Sequence, residues 1–214
     1  MTGTHDSTRR SYDAVARAYA DGLRDELAGK PLDRALLAAL IEQTPPGAAI
    51  GDLGCGPGHI TGWLAAHAAH GASVTGIDLS AGMIDVARRE QLGAEFRVGD
   101  LLRLPAADGE FGAVIAFYSI IHLGPGQLPG ALAEMHRVLR PGGLALLAFH
   151  AGTEVRHVTD FLGHEVEVDF RFYQPADVAA ALAATGFAVQ AQLARTAYPA
   201  EVDTHRAYLL AARP

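Results

Sequence analysis

Three glycines and a carboxylate stand close together in the segment Asp52-Leu-Gly54-Cys-Gly56-Pro-Gly58. Glycine lacks a Cβ, so its backbone can approach a ligand closely and can adopt φ values that other residues avoid. Pro57 has no N–H donor, which weakens this loop as a binding site for phosphate. Asp52 adds a negative charge beside the loop. These residues therefore favour a ligand with a positive charge over an anionic one.

A second carboxylate, Asp78, lies in the segment Gly76-Ile-Asp-Leu-Ser80, about 20 residues past the glycine loop. An acidic residue at that distance can accept hydrogen bonds from both hydroxyls of a ribose. The plainer alternative is that Asp78 only places a negative charge at a helix N-terminus, just before Ser80. Together the loop and Asp78 predict a site for an adenosine-type ligand.

Two histidines are candidates for a general base. His122 lies just beyond an apolar run at Ala113–Phe117, and His150 directly follows an apolar run at Leu144–Phe149. Histidine takes up and releases protons near neutral pH, so either residue could activate a poor nucleophile such as a hydroxyl. For His122 the alternative is a role in packing or in anchoring a loop.

The elements that must position these residues alternate along the chain. Continuous apolar runs are separated by segments in which apolar residues recur at helical spacing; the runs lie at 48–53, 73–77, 94–98, 113–117 and 144–149. Buried runs that alternate with amphipathic helices are typical of a parallel sheet covered by helices on both faces. The ligands of such sheets bind beyond the carboxyl ends of the strands, where the glycine loop lies.

The two ends of the sequence add helices and two further strands. Residues 1–10 are polar and are expected to fray, while residues 11–28 predict a short helix or two. Pro31 begins a stronger helix. After a last helix from Gln174 to Gly186, residues 187–193 and 206–211 are predicted as strands.

Residues 151–173 are predicted to cover the substrate. Val166, Val168 and Phe170 alternate with polar residues, which predicts a strand with one solvent-facing side. The histidines and carboxylates of this segment match no closed ligand set and include no thiolate, so no metal is expected.

Composition limits the possible partners. The net charge is −7, and Lys and Arg occur in no cluster larger than a pair. Since proteins that bind nucleic acid need a basic surface, such partners are disfavoured. Cys55 is the single cysteine, so no internal disulfide can form. With no signal-type start and no apolar run long enough to span a bilayer, we expect a cytoplasmic protein without membrane contact.

Five segments in this order resemble the motifs of class I S-adenosylmethionine-dependent methyltransferases. They are the loop at 50–58, the acidic segment at 76–80, Gly99-Asp100-Leu101, residues 111–123 and the turn at 137–143. The resemblance implies a Rossmann-like three-layer α/β sandwich: a seven-stranded, mostly parallel sheet with an antiparallel last strand and helices on both faces. Gly51 departs from the family pattern, which often has an apolar residue there, and a glycine could loosen the strand.

The resemblance also implies which residues hold the methionine and ribose parts of the cofactor. Gly54 and Gly56 would hold the methionine part, with Cys55 as a loop residue between them. Asp52 would lie near the methionine amino group, and Asp78 would bind the ribose.

For the remaining parts of the cofactor, the resemblance implies contacts from three segments. Residues around the adenine are Leu79, Met83, Gly99, Asp100 and Leu101, of which Asp100 would accept from the exocyclic amine. Phe117, Tyr118 and Ser119 would line the sulfonium and the floor of the substrate cavity. Tyr12 and Tyr19 would close over the cofactor, although simple packing is the alternative for both.

The implied activity is transfer of a methyl group from S-adenosylmethionine to a small-molecule acceptor by in-line displacement, with S-adenosylhomocysteine as product. The accepting atom (oxygen, nitrogen or carbon) stays open. An NAD-dependent oxidoreductase shares the predicted fold but requires a GxGxxG loop, which the glycine spacing here does not give. A non-catalytic module that binds S-adenosylmethionine is a further alternative.

We therefore interpret residues 1–214 as one methyltransferase domain. Its parts are a helical cap at 1–45, a cofactor-binding core at 46–150, the substrate cap at 151–173, and a C-terminal helix and strand hairpin at 174–214.

Overall fold

A computed structural model describes residues 3–68, 71–90, 92–124 and 126–214. The strands in this part of the chain are β1 (Ile50–Leu53), β2 (Val74–Asp78), β3 (Glu95–Val98), β4 (Phe111–Phe117), β5 (Leu139–Ala151), β6 (Val155–Phe161), β7 (His164–Arg171), β8 (Ala188–Arg195) and β9 (His205–Ala212). The α-helices are α1 (Gly3–Leu23), α2 (Pro31–Gln43), α3 (His59–His67), α4 (Ala81–Arg89), α5 (Leu128–Val138) and α6 (Pro175–Ala184). Short 3-10 helices form at Glu26–Gly29 and Ile120–His122.

Seven strands form the central sheet, in the order β3-β2-β1-β4-β5-β9-β8. The first five strands of the chain pair in parallel, and β9 runs antiparallel to both β5 and β8. β1 and β4 are buried along their whole length, as expected for central strands covered on both faces. The predicted fold, with its antiparallel last strand, is confirmed.

Helices cover both faces of the sheet. On one face, α5 and α6 pack Leu132, Met135 and Leu182 into a cluster that includes Phe111 and Phe149 of the sheet. On the other face, α2 and α3 pack a second cluster, which contains Leu37, Leu40, Leu64, Ile50 and Ile115. The two layers of helices therefore hold the sheet from both faces, and the sheet in turn fixes the positions of the loops at its carboxyl edge.

Gly51 fits the packing of β1. A Cβ at this position would lie 3.2 Å from ring atoms of Phe111 on the adjacent β4. The departure from the family pattern thus leaves room for a large aromatic ring, and it does not open the strand.

The prediction for the N-terminus was wrong in its boundaries. α1 already begins at Gly3, so the described part of the segment expected to fray is helical. Thr8 and Ser11 are buried, and Val15, Ala16 and Ala20 pack against the valines of β7. This tertiary packing stabilises a helix that its polar first residues do not predict.

The segment at 151–173 holds two strands where the alternation predicted one. β6 and β7 pair antiparallel in a small separate sheet. Leu162 and Gly163 turn the chain between them, both with positive φ, of 54° and 76°. Val166 and Val168 of β7 are 3% and 2% exposed because they face α1. The hairpin and α1 therefore pack against each other through one apolar interface.

None of the helices in the described residues combines the length and the apolar character needed to cross a membrane.

Candidate functional site

A cavity of about 670 Å³ opens at the carboxyl ends of the parallel strands. The strand order reverses between β1 and β4, so the loops that follow these two strands diverge and leave a crevice between them. Every residue that the sequence proposed for cofactor binding or catalysis lines this cavity, from Tyr12 on α1 to His150 at the end of β5. The structure thus brings the proposed site residues together.

The first two glycines of the loop, Gly54 and Gly56, determine its shape. Gly54 has a φ of +80°, and a Cβ there would lie 2.2 Å from the Cβ of Ser119. Ser119 is itself fixed, because its hydroxyl donates to the carbonyl of Leu53 at 2.7 Å. Gly56 also has a positive φ, of +54°, but a Cβ there would meet only Tyr19, at 3.9 Å. Gly54 therefore allows the two loops to pack, whereas Gly56 leaves open space in the cavity.

Asp78 holds the loop in place. Its carboxylate accepts hydrogen bonds from the backbone N–H of Gly56 and of Ser80, both at 2.8 Å. Loss of contact with water raises the pKa of Asp78 to about 6, although these two N–H groups oppose the shift. The cap of α4 is supplied by the Ser80 hydroxyl, which accepts from the N–H of Met83 at 3.0 Å. Asp78 is thus not required as the helix cap, which weakens the plainer alternative for it.

Asp52 is the more deeply buried carboxylate, at 2% exposure. It accepts a hydrogen bond from the hydroxyl of Thr61 at 2.6 Å. Burial raises the pKa of Asp52 to about 6, against the effect of the Thr61 hydrogen bond. The adjacent Cys55 packs with Ile84 and Phe96, and burial raises the pKa of its thiol. We therefore expect the thiol to be protonated at neutral pH.

The residues assigned to the adenine contacts lie at one end of the cavity. Gly99 is needed there, since a Cβ would lie 2.3 Å from Pro105. Asp100 accepts from the N–H of Leu102 at 2.8 Å and lies 3.2 Å from Nδ1 of His5. His5 was not among the predicted site residues, because it belongs to the segment that was expected to fray.

Aromatic rings form the wall that faces the glycine loop. Tyr12 and Tyr19 of α1 meet edge to face with centroids 5.9 Å apart, and Tyr19 meets Phe161 of β6 at 5.8 Å. Phe161 in turn contacts Phe170 of β7. Both phenylalanines line the cavity and were not among the predicted site residues. They lie there because the hairpin folds back over α1.

His122 is held at both ring nitrogens. Its Nδ1 lies 3.2 Å from the carbonyl of Asp169, to which it can only donate, so Nε2 accepts from the hydroxyl of Tyr12 at 2.8 Å. Burial lowers the pKa of His122 to about 4, against the effect of the Asp169 carbonyl. This geometry favours the anchoring role over that of a general base.

His150 lies at the other end of the cavity from Asp100. Its Nδ1 is 2.8 Å from the Thr204 hydroxyl, and its ring stacks on Phe172 with centroids 5.0 Å apart. Burial and the nearby charge of Arg206 lower the pKa of His150 to about 4. A neutral imidazole is therefore expected at pH 7.

Beside His150 lies a group of charged residues that we call the ionic cluster: Glu26, Lys30, Asp33, Arg195, Glu201 and Arg206. Lys30 pairs with Glu26 and, at 3.3 Å, with Glu201. Glu201 also accepts from two nitrogens of Arg195, at 2.6 and 3.0 Å. Arg195 reaches on to Asp33, at 3.0 Å. The cluster fixes the loop between β8 and β9 as a wall of the cavity, and none of its members was predicted from the sequence as a site residue.

No group of three or more His, Cys, Asp and Glu residues in the described ranges could hold a metal ion.

Comparisons with known proteins agree with this architecture. Residues 50–143 match the family model of a methyltransferase domain. Malonyl-[acyl-carrier protein] O-methyltransferase of Serratia marcescens is 32% identical over 161 residues, which cover 75% of this chain and 61% of that protein. Demethylmenaquinone methyltransferase of Beutenbergia cavernae is 34% identical over 139 residues, which cover 64% of this chain and 55% of that protein. The chain thus spans less than two thirds of the length of these relatives.

Solved structures match over nearly the whole chain. The 1,6-didemethyltoxoflavin-N1-methyltransferase of Burkholderia thailandensis has a TM-score of 0.74 at 19% identity, over 97% of this chain and 88% of that one. Magnesium protoporphyrin IX methyltransferase from Synechocystis also has a TM-score of 0.74, at 18% identity, over 99% of this chain and 97% of that one. At these identities the likeness establishes the fold. The strand order, the match of residues 50–143 to the methyltransferase domain and the sequence relatives all support similarity to the class I S-adenosylmethionine-dependent methyltransferases.

Proposed function

We propose that this protein binds S-adenosylmethionine in the cavity and transfers its methyl group to a small-molecule acceptor. The observation that carries the proposal is the link between the two motifs: Asp78 accepts from the N–H of Gly56 at 2.8 Å, which sets a carboxylate beside an open glycine loop. The relatives are named for methylation of malonyl-acyl-carrier protein at oxygen and for methylation of demethylmenaquinone. A small organic acceptor group is therefore the proposed substrate class.

The residues present fit S-adenosylmethionine better than a nicotinamide dinucleotide. The loop leaves room for a ligand at Gly56, where a Cβ would meet nothing nearer than Tyr19, at 3.9 Å. Asp52 and Asp78 both line the cavity beside this space. The charge of Asp52 attracts the ammonium group of S-adenosylmethionine and repels the pyrophosphate of NAD, whereas Asp78 suits the ribose of either ligand. This electrostatic preference argues against the oxidoreductase alternative.

The chain's own contribution to the reaction is positioning. S-adenosylmethionine supplies a methyl group that its sulfonium has already activated. On the side of the glycine loop, Asp52 would bind the ammonium group of the cofactor and Asp78 its ribose. On the opposite side of the cavity, the rings of Tyr12, Tyr19 and Phe161 would exclude water. Alignment of a nucleophile behind the methyl carbon can supply about 7–11 kcal/mol of the barrier reduction. The displacement step itself does not require a side chain of the protein to take up a proton.

Calorimetric titration tests the proposal directly. We expect the purified protein to bind S-adenosylmethionine and S-adenosylhomocysteine in the micromolar range, and not to bind NADH. Mass spectrometry beforehand would identify any ligand that co-purifies. Binding of NADH alone, or of none of the three by a folded protein, would refute the cofactor assignment.

The affinity for S-adenosylhomocysteine should fall in acid. Loss of contact with water raises the pKa of both Asp52 and Asp78 to about 6, and both must be ionised to pair with the ligand's ammonium and ribose hydroxyls. Protonation below pH 6 therefore weakens binding, by about tenfold for each carboxylate between pH 7 and pH 5. Titrations across this range at constant ionic strength would measure the slope. An affinity that is flat between pH 7 and pH 5 would contradict the roles of these two carboxylates.

A further inference from the structure

His5 lies in the first turn of α1 and lines the end of the cavity that holds Asp100. We propose that His5 is a positioning residue for the cofactor, because it fixes the Asp100 carboxylate in the orientation that accepts the exocyclic amine of adenine. The inference rests on the proposed function, since it concerns how the cofactor of that reaction is held. A chain of hydrogen bonds from the backbone of Gly124 to Asp100 carries it.

The chain of hydrogen bonds begins at the side-chain amide of Gln127. The backbone N–H of Gly124 can only donate, and it contacts Oε1 of Gln127. Oε1 is thus the carbonyl oxygen of the amide, and Nε2 is its NH₂ group, which has donors and no acceptor. Nε2 of Gln127 lies 2.8 Å from Nε2 of His5. The imidazole nitrogen must therefore be the acceptor in this contact.

The contact with Gln127 fixes the tautomer of His5. A neutral imidazole carries a proton on one ring nitrogen and a lone pair on the other. Because Nε2 accepts from Gln127, the proton lies on Nδ1. Nδ1 is 3.2 Å from Oδ2 of Asp100, and an ionised carboxylate can only accept. His5 therefore donates to Asp100 as a neutral residue, and each hydrogen bond of the chain polarises the next.

Asp100 is held at both of its oxygens. Oδ1 accepts from the N–H of Leu102 at 2.8 Å, and Oδ2 accepts from His5. Each carboxylate oxygen has a second lone pair, which these two bonds leave free. The Asp100 side chain is 35% exposed and lines the cavity, so the free lone pairs are within reach of a ligand. The two donors fix the direction in which those lone pairs point.

A fixed carboxylate can distinguish purine bases by one group. The exocyclic group of adenine is an amine, which donates hydrogen bonds. Hypoxanthine carries a carbonyl oxygen at the same place, and a carboxylate repels it. Asp100 makes this distinction only while it does not turn away toward water. His5 supplies the restraint from a position 95 residues earlier in the chain.

The first test measures the tautomer directly. Nitrogen NMR spectra of imidazole groups distinguish a proton on Nδ1 from a proton on Nε2. The full chain is prepared with isotope-labelled histidine, and the signals of His5 are those that disappear in His5→Asn. We expect the Nδ1–H tautomer for His5 in the protein without ligand at neutral pH. An Nε2–H tautomer, or a mixture of the two, would overturn the chain of hydrogen bonds.

The second test compares two ligands that differ only in the base. S-adenosylhomocysteine carries the amine, whereas S-inosylhomocysteine carries the carbonyl oxygen. Calorimetric titration gives the affinity of each ligand and hence their ratio. We expect the parent to prefer the adenosyl ligand, and His5→Ala to reduce this preference about fivefold, which is the effect of one hydrogen bond. The affinity for S-inosylhomocysteine should change little.

Two further variants separate positioning from a merely structural role. His5→Asn keeps a side-chain N–H donor at a similar distance from the backbone, so it should recover part of the preference. Arg10→Ala is the matched control on α1, because the Arg10 side chain is exposed, and it should leave both affinities unchanged. An equal loss of affinity for both ligands in His5→Ala would show that His5 only fastens α1, and would overturn the proposal.

The remaining outcomes separate this inference from the proposed function. Tighter binding of S-adenosylhomocysteine by His5→Ala would mean that His5 competes with adenine for Asp100, and would also overturn the positioning role. A parent that binds S-adenosylhomocysteine, with the same preference in His5→Ala, would refute the inference alone. A folded parent that binds neither ligand would refute the cofactor site and this inference with it.

Discussion

Alanine at position 54 should destabilise the folded protein by about 3 kcal/mol, as the sum of left-handed backbone strain and overpacking. The left-handed φ of Gly54, +80°, is unfavourable for any residue with a Cβ. In addition, the new methyl group would lie 2.2 Å from the Cβ of Ser119, so one of the two loops must move. Urea unfolding followed by circular dichroism measures the free energy of unfolding of the parent and of Gly54→Ala.

Two other glycines separate the contributions to this effect. Gly47 has a similar φ, of +76°, and a Cβ there would meet nothing within 4 Å, so Gly47→Ala should lose only the strain, about 1 kcal/mol. Gly56→Ala should also fold, but its methyl group would stand in the cavity and abolish binding of S-adenosylhomocysteine. Equal losses of stability for positions 47 and 54 would contradict the role of the contact with Ser119.

The variant Asp78→Ala should weaken binding of S-adenosylhomocysteine by about 100-fold. Two hydrogen bonds from ribose hydroxyls to a charged carboxylate contribute about 3 kcal/mol, which corresponds to two orders of magnitude in affinity. The substitution also frees the N–H of Gly56, which loses its acceptor at 2.8 Å. Calorimetric titration of parent and variant under the same conditions gives the two dissociation constants.

The free energy of unfolding of Asp78→Ala should change by less than about 1 kcal/mol. Removal of a poorly solvated charge offsets the loss of two hydrogen bonds from the backbone. Asp108→Ala is the matched control, because the Asp108 side chain is 83% exposed and lies on the surface. An unchanged affinity in Asp78→Ala, or an equal loss in the control, would disprove the assignment of the ribose to Asp78.

The sheet and the glycine loop were predictable because their causes are local. Buried strands show as continuous apolar runs, and the φ of Gly54 and Gly56 is allowed by their own residue type. The carboxyl ends of parallel strands share one edge, so His122 and His150 could be placed near the loop from the order of the strands alone. These inferences need only short stretches of sequence and the rules of strand order.

The states of the two histidines could not be predicted in the same way. His122 depends on Tyr12, a residue 110 positions away, and on a carbonyl of the hairpin. The hairpin itself was predicted as a single strand, because a turn at Leu162 and Gly163 gives little signal within an alternating pattern. The ionic cluster was missed for a related reason: a charged residue in sequence is most often solvated, and burial of Asp33 or Glu201 depends on partners from distant elements.

The burial of Asp33 affects how the chain can fold while it is being synthesised. It is 1% exposed and accepts from Tyr208 and Arg195, which follow it by 175 and 162 residues. Ribosomes extend the chain from its N-terminus, so α2 emerges long before either partner exists. A buried carboxylate without its partner is strongly unfavourable, so α2 cannot settle against the sheet during most of translation. We therefore expect a nascent chain that stalls before β9 to expose the apolar face of α2 to chaperones and proteases.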